Sequence, residues 1–368
     1  MAYNGNLETM YVDPVSFVPN QRCAFELDGS KLAYMSNMRL LNLGVVSDAK
    51  VAYNEGLGAL ALIKNIRLMD ARTELSALRN PASYLFFKNS NRTNATNKSE
   101  DKYMKRNALG NMILASNNKV SGIFSPGDAD TSPALTSLAY LDLREVFPIL
   151  NDMTVLPVSI FKNLRIEIEF RSDPNDQILV DVSKTIAVQR PILAVDILNN
   201  QAAVAAATEQ LIEEPIMWQE IENDNYTINA VNTAAFAPAD VATQTSNNNS
   251  LGFRGKYVER LLVCKQLQTI SAGMGGNAVL GFSGLASSQA MLDQTTQFRV
   301  NGRNVFPGFN GIQRPNEMLA MVSDEYGSLS AYPGSNLYKS TIATQNLNDP
   351  NRSGQQSFDC VRLGCRIA

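Results

Sequence analysis

The chain contains no histidine. That absence removes Ser-His-Asp and Cys-His catalytic sites and the commonest metal ligand. Cysteine is scarce, at Cys23, Cys264, Cys360 and Cys365 in 368 residues, which is too thin for a disulfide framework. The Cys360-x4-Cys365 pair has neither a second pair nor a His beside it, so it does not make a zinc site. Isolated cysteines of this kind read as buried or free thiols that pack as small apolar side chains. Charge of one sign is also missing: 32 Lys and Arg face 35 Asp and Glu, for a net −3. A dedicated nucleic-acid binder would carry a basic footprint, and none is present. The opening MAYNGNLETMYVDPVSFVPNQ has no basic n-region and no apolar h-region, so it does not read as a signal peptide. No run approaches the roughly 18 apolar residues of a membrane span.

What is present is enough apolar material, 45% of the chain, for a large core in one long or two ordinary domains. Strand patterns dominate. Leu164-Arg165-Ile166-Glu167-Ile168-Glu169-Phe170-Arg171 alternates apolar and charged residues over eight positions, the signature of a strand with one buried and one wet face. Residues 191 to 198, PILAVDIL, read as a strand buried on both faces. Asn65-Ile66-Arg67-Leu68 alternates, and residues 256 to 264 have strand character. Asn301-Gly302 sits between two β-like runs in QFRVNGRNVF and predicts a hairpin with a type I′ turn, since both residues tolerate positive φ.

Helices are few. Asn200 followed by QAAVAAATEQLIEE, ahead of Pro215, reads as a helix joining two strand-rich halves. Ser99 ahead of Glu100 and Asp101 predicts a cap for a helix near 100 to 115, and Pro315 opens another. Long Asn-, Ser- and Thr-rich loops at 89–99, 116–133, 223–252 and 345–356 punctuate both halves. This pattern points to two β-sandwich or jelly-roll domains and away from an alternating βαβ sheet.

The motifs that could carry chemistry are weak. Gly273-Met274-Gly275-Gly276-Asn277-Ala278, with Asp293 downstream, matches a dinucleotide fingerprint only formally. The glycine-bearing VLGFSGLASSQ that follows is a poor first helix. Gly281-Phe282-Ser283-Gly284 is not a nucleophile elbow, because its second Gly falls one position early. Glu167 and Glu169 share a strand face as a glycosidase pair could, but Arg165 and Arg171 share that face too, so a solvated or inter-subunit charged face is the better reading. Asp128 and Asp130 lack the spacing of a calcium loop and read as a turn. Lys98, Lys102, Lys105 and Arg106 are diluted by Glu100 and Asp101 and read as a solvated helix face. Trp218, the only Trp, reads as an anchor at the start of the second half or in a subunit contact. Six Asn-x-Ser/Thr triplets occur, at Asn91, Asn94, Asn97, Asn225, Asn248 and Asn351. That is near the number produced by random placement in a chain this rich in Asn, Ser and Thr. No glycan is expected at Asn91, Asn94 or Asn97 in protein made in the cytosol. The sequence thus assigns no catalytic, cofactor-binding or metal-binding residues and no cofactor.

In order, several stretches resemble the double jelly-roll major capsid proteins of icosahedral double-stranded DNA viruses, in the branch of polinton-like viruses and virophages. They are CAFELD at 23–28 with YMSNMRLLNLGVV at 34–46, LGALALIKNIRLMDARTELSAL at 57–78, LAYLDLREVFPILNDMTVLPVSIFKNLRIEIEF at 138–170, and QFRVNGRNVFP at 297–307. Each is degenerate alone, and their order carries the resemblance, over roughly residues 20 to 325.

The resemblance implies an all-β fold with a few short helices: two consecutive jelly rolls, with an N-terminal arm at 1–20, a first jelly roll at 21–198, a connecting helix at 199–215 and a second jelly roll at 216–368. Against the family pattern the last strands of the second barrel are missing. That leaves a compact barrel, a fragment or a different alignment of the tail. The implied role is structural and not enzymatic. Three copies would form a pseudo-hexagonal capsomer that tiles an icosahedral shell. The implied partners are the chain itself as a homotrimer, neighbouring capsomers, and penton and minor or cement capsid proteins. No specific nucleic acid and no transmembrane segment are implied. The implied location is the virion, assembled in the host cell interior. A β-sandwich adhesin or glycan-binding module is the alternative. It calls for an aromatic-lined cleft and usually export.

Overall fold

The computed structural model of the chain describes residues 7–47, 51–53, 62–81, 84, 122–123, 140–171, 178–180, 186–214, 217–223, 250, 252, 254–264, 297–305 and 358–366. The first elements are β1 (Leu7–Val12), β2 (Ser16–Val18), β3 (Arg22–Glu26), β4 (Ala33–Met35), β5 (Arg39–Leu41), β6 (Val45–Ser47) and β7 (Val51–Tyr53). The hairpin β8 (Ile63–Asp70) and β9 (Thr73–Arg79) follows, then β10 (Gly122–Ile123), β11 (Tyr140–Asp142), a 3-10 turn at Leu143–Glu145 and the one-turn helix α1 (Ile149–Asp152). Next come β12 (Val155–Pro157), β13 (Leu164–Phe170), β14 (Ile178–Val180), β15 (Ile186–Val188), β16 (Ile192–Leu198) and the helix α2 (Gln201–Glu213). Last are β17 (Tyr257–Cys264), the hairpin β18 (Arg299–Val300) and β19 (Arg303–Asn304), and β20 (Phe358–Arg366). The described residues are therefore mostly β with few helices.

Pairing in the first half is nested, outermost with outermost. β1 pairs β16 with Leu7 opposite Leu198, and β3 pairs β13 with Phe25 opposite Ile166. The interrupted strand β4–β5 pairs β12 and β11, with Tyr34 opposite Leu156 and Leu40 opposite Leu141. β8 closes on β9, with Ile66 opposite Leu78. Two sheets result. One runs β1, β16, β4–β5, β12–β11; the other runs β2, β3, β13, β8, β9. Apart from the β8–β9 hairpin, the nested strands alternate between the sheets. A long antiparallel hairpin wound in this way is a jelly roll. The β5–β16 ladder continues outward as β6 against β15 and β7 against β14. The expected arm at 1–20 needs correction, because residues 7–12 and 16–18 are strands of the two sheets. β1 presents a pattern that β16 can pair over six residues, so it belongs to the barrel.

Strand periodicity explains the core. On β13, Leu164, Ile166, Ile168 and Phe170 are buried while Arg165, Glu167 and Glu169 face outward. They meet Cys23 and Phe25 from β3 and Ile63, Ile66 and Leu68 from β8. The other sheet adds Tyr34, Leu40, Leu193, Val195 and Ile197. Burial pushes the Cys23 thiol up to about 12, against a smaller opposing pull from Arg190, so it packs as an apolar side chain. The insertion between β11 and β12 adds Leu143, Val146, Phe147, Ile149, Leu150 and Met153 to the same core. Asp142 starts that insertion by accepting from the Arg144 backbone N–H at 3.1 Å and from its guanidinium Nη2 at 2.6 Å.

α2 forms where its Ala-rich composition predicts. Asn200 caps it, its Oδ1 accepting from the Ala203 N–H at 3.1 Å. Val204 packs with Ala33, Val155 and Leu198 in a small cluster apart from the main core. β16 is thereby covered on both faces at this end, as its apolar run predicts. Asn200→Ala is expected to cost about 1 kcal/mol, read as a lower denaturation midpoint with an unchanged slope. In the second half β17 and β20 pair antiparallel, and the Asn301–Gly302 turn has φ of 51° and 78°, the type I′ geometry expected. The helices expected near 100–115 and after Pro315 lie outside the described residues. No helix among the described residues is long and apolar enough to cross a membrane.

Candidate interaction surface

The outer face of the β2-β3-β13-β8-β9 sheet is built by the same alternation that fills the core. Every second residue of β13 points out, and the register sets its neighbours: Glu167 lies opposite Ala24 and Arg67, and Arg165 opposite Glu26 and Met69. A bulge where Phe170 pairs Ile63 and Glu169 pairs Asn65 leaves Lys64 as an extra residue, which places its ammonium beside Glu169.

The charges on this face pair with one another. Lys64 Nζ lies 2.6 Å from Glu169 Oε1, and Asn65 Nδ2 donates to Glu169 Oε2 at 2.5 Å. Glu167 takes Arg67 Nη2 at 2.5 Å and Arg165 Nη2 at 2.8 Å. Arg165 also reaches Glu26 at 3.8 Å, and Arg79 reaches Glu74 at 4.0 Å. Arg171 donates to Asn80 Oδ1 at 2.7 Å. The Lys64 hydrogen bond holds the Glu169 carboxyl below its usual range, helped by Asn65, against a modest opposing effect of desolvation. A glycosidase acid needs the opposite shift. Glu169 is instead kept ionised by the cation beside it, and Glu167 is engaged by two guanidinium groups of the same face.

The sequence also missed a feature around the single Trp. Residues 217–223 run between β9 and β17. Glu220 accepts from Trp218 Nε1, from the Ala77 backbone N–H, and from Ser76 Oγ at 3.3 Å. Asn223 Nδ2 donates to the Arg79 carbonyl at 2.5 Å. Toward β17, Gln219 bonds Glu259 and Lys256 pairs with Glu222. Ile221 packs against the main core, whereas Met217 is 87% exposed. A carboxyl two residues from the only Trp was the available signal.

No group of three or more His, Cys, Asp or Glu among the described residues could hold a metal ion. Asp128 and Asp130, the Lys98–Arg106 cluster, Gly273–Ala278 with Asp293, Gly281–Gly284 and the acceptor asparagines of all six Asn-x-Ser/Thr triplets lie outside the described residues.

No protein-family model matches the chain, and no curated protein matches it. Solved structures similar to part of it include two of viral capsids. One is the PBCV-1 virus capsid, at 13% identity over 55% of this chain and 45% of that chain, with a TM-score of 0.33. The other is PBCV-1 VP54 fitted into a cryo-EM reconstruction of the virophage Sputnik, at 9% identity over 57% of this chain and 46% of that chain, with a TM-score of 0.29. The matched region spans less than half the length of either.

Proposed function

We propose that the chain is a structural capsid subunit: a double jelly roll that trimerises into a pseudo-hexagonal capsomer and tiles an icosahedral shell. The observation that carries this reading is the nested jelly roll of the first half, whose outer face pairs the carboxylates Glu167 and Glu169 with Arg67, Arg165 and Lys64. Such a face can lie against a neighbour without burying unpaired charge, which would otherwise be costly. The proposed organisation is a first barrel ending at 198, a connecting helix at 199–215 and a second barrel at 216–368. The partners are two further copies, adjoining capsomers, and penton and minor capsid proteins. The role is non-enzymatic, and the destination is the virion, after assembly inside the host cell.

Closed cyclic symmetry fixes the test. Light scattering behind size exclusion is expected to give three times the chain mass, and negative-stain micrographs to give hexagonal tiles or particles. A stable monomer that binds a sugar would instead establish the glycan-binding alternative.

A further inference from the structure

We infer that the flank made by β1 and β2 is the surface on which a second copy of the chain seats its second half. With the trimer proposed above as premise, this is the face by which one copy holds the next. β1 ends one sheet and β2 ends the other, and only Asp13–Val15 separate them, so the two edges lie on one flank of the sandwich. β9 ends the second sheet on the opposite flank. Among the described strands β1 pairs only β16, and β2 only β3. Exposed edges are ordinarily blunted by Lys, Pro or a bulge. The stretch Leu7–Val12 has none of these. Met10 and Val12 pack against the core, so period two turns Leu7, Thr9 and Tyr11 the other way. Leu7 is 52% exposed and Tyr11 68%; Val15, in the link to β2, is 59% exposed. Large apolar side chains gathered on an unguarded edge mark a surface built to be covered.

Symmetry and charge select the occupant. A flank that met the same flank of another copy would make an isologous contact, which closes at two copies. A trimer needs a heterologous contact, in which this flank meets a different surface of the next copy. On the opposite flank, residues 217–223 bond to β9 through Glu220 and Asn223 and fasten β17 through Gln219 and Glu222. The chain's own second half is therefore attached on that side, and ring closure brings the next copy's second half to the β1 and β2 side. The charges agree. Residues 7–20 hold Glu8 and Asp13 and no Lys or Arg, whereas β17 to β20 hold five arginines against Glu259 and Asp359. Asp13 lies 3.2 Å from Arg190, so Glu8, which accepts from Asn199 Nδ2 at 3.3 Å, is the acid that an incoming arginine meets.

The test uses the full chain in two altered forms, one with the photo-cross-linker p-benzoylphenylalanine in place of Tyr11 and one with Tyr11→Glu. Light scattering behind size exclusion reads the assembly, and circular dichroism reads the fold. Wild type is expected at three chain masses and Tyr11→Glu at one, with the same spectrum, because the new carboxylate would be buried unpaired at the contact. Irradiation is expected to give covalent dimers and trimers on a denaturing gel, with the linked peptides drawn from residues 216–368. A trimeric protein that links position 11 to residues 1–215 of another copy, or that gives no link between chains, overturns the docking flank and leaves the trimer standing. A Tyr11→Glu protein that stays fully trimeric does the same. A wild-type monomer overturns the trimer, and the docking flank falls with it. If Tyr11→Glu does not fold, the cross-linked peptides decide by themselves.

Discussion

Phe25→Ala is expected to destabilise the first barrel by about 3–5 kcal/mol, through lost transfer energy plus the cavity left behind. Phe25 is fully buried in the middle of β3. Its register partner Ile166 also pairs Leu68 on β8, so three inward side chains of one sheet meet at this point. The ring fills the gap to the facing sheet, whose Tyr34, Leu40, Val195 and Ile197 belong to the same core. A β-sheet cannot collapse onto a void at its centre without breaking its ladder, so the upper part of the range applies. For a barrel of this size the melting temperature should fall on the order of 10 °C. Phe25→Leu keeps most of the volume and should cost under about 1.5 kcal/mol. Arg22→Gln, on the outward side of the same strand, should change stability by less than about 0.5 kcal/mol. Equal effects from Phe25→Ala and Arg22→Gln, measured by chemical denaturation, would contradict the inward placement of Phe25.

The contrast between Phe25 and Arg22 marks how much of the fold was legible in the chain. Period-two alternation made β13 readable to within a residue, since the side chains of a strand with one dry face must alternate. β16 was readable as a doubly covered run, α2 from its alanines, and the β18–β19 turn from Asn301–Gly302. The β1 assignment failed for a physical reason. LETMYV has no alternation, because its residues are mostly exposed at the edge of a sheet, and only the partner β16 reveals it as a strand. The nested pairing was not legible from pattern at all. It is a property of contacts such as Leu7 with Leu198, far apart in sequence, and enters the reading only through the order of whole segments.

The interaction surface was half legible. Glu167 and Glu169 beside Arg165 announce a charged face because one strand carries them all. Their other partners, Lys64, Asn65 and Arg67, come from β8 and required the register, including the bulge that brings Lys64 to Glu169. Residues 217–223 were invisible for a related reason. MWQEIEN has no period, and its side chains bond to β9 on one side and toward β17 on the other.

Asp196→Ala is the second large expected effect, at about 1–3 kcal/mol. The apolar run that contains Asp196 conceals its role. On the side of β16 away from the core, Asp196 Oδ1 accepts from Thr9 Oγ1 at 2.6 Å, and Oδ2 accepts from Asn37 Nδ2 at 2.7 Å. Arg39 Nη2 lies 3.6 Å away. One carboxylate thus ties β1 to β16 and, through Asn37 and Arg39, to the interruption between β4 and β5. Its side chain is only 15% exposed and its bond from Asn37 is part-buried, so removing it strands that amide where water reaches poorly, and the loss exceeds that of a surface ion pair. Asp196→Asn retains one acceptor and should lose about half as much. The local signature separates this from a general loss of stability. β1 pairs only β16 among the described strands, so amides of residues 7–12 should exchange faster in Asp196→Ala while those of β13 follow global unfolding. Unchanged exchange at 7–12 together with an unchanged denaturation midpoint would show that the carboxylate does not hold the first strand to the barrel.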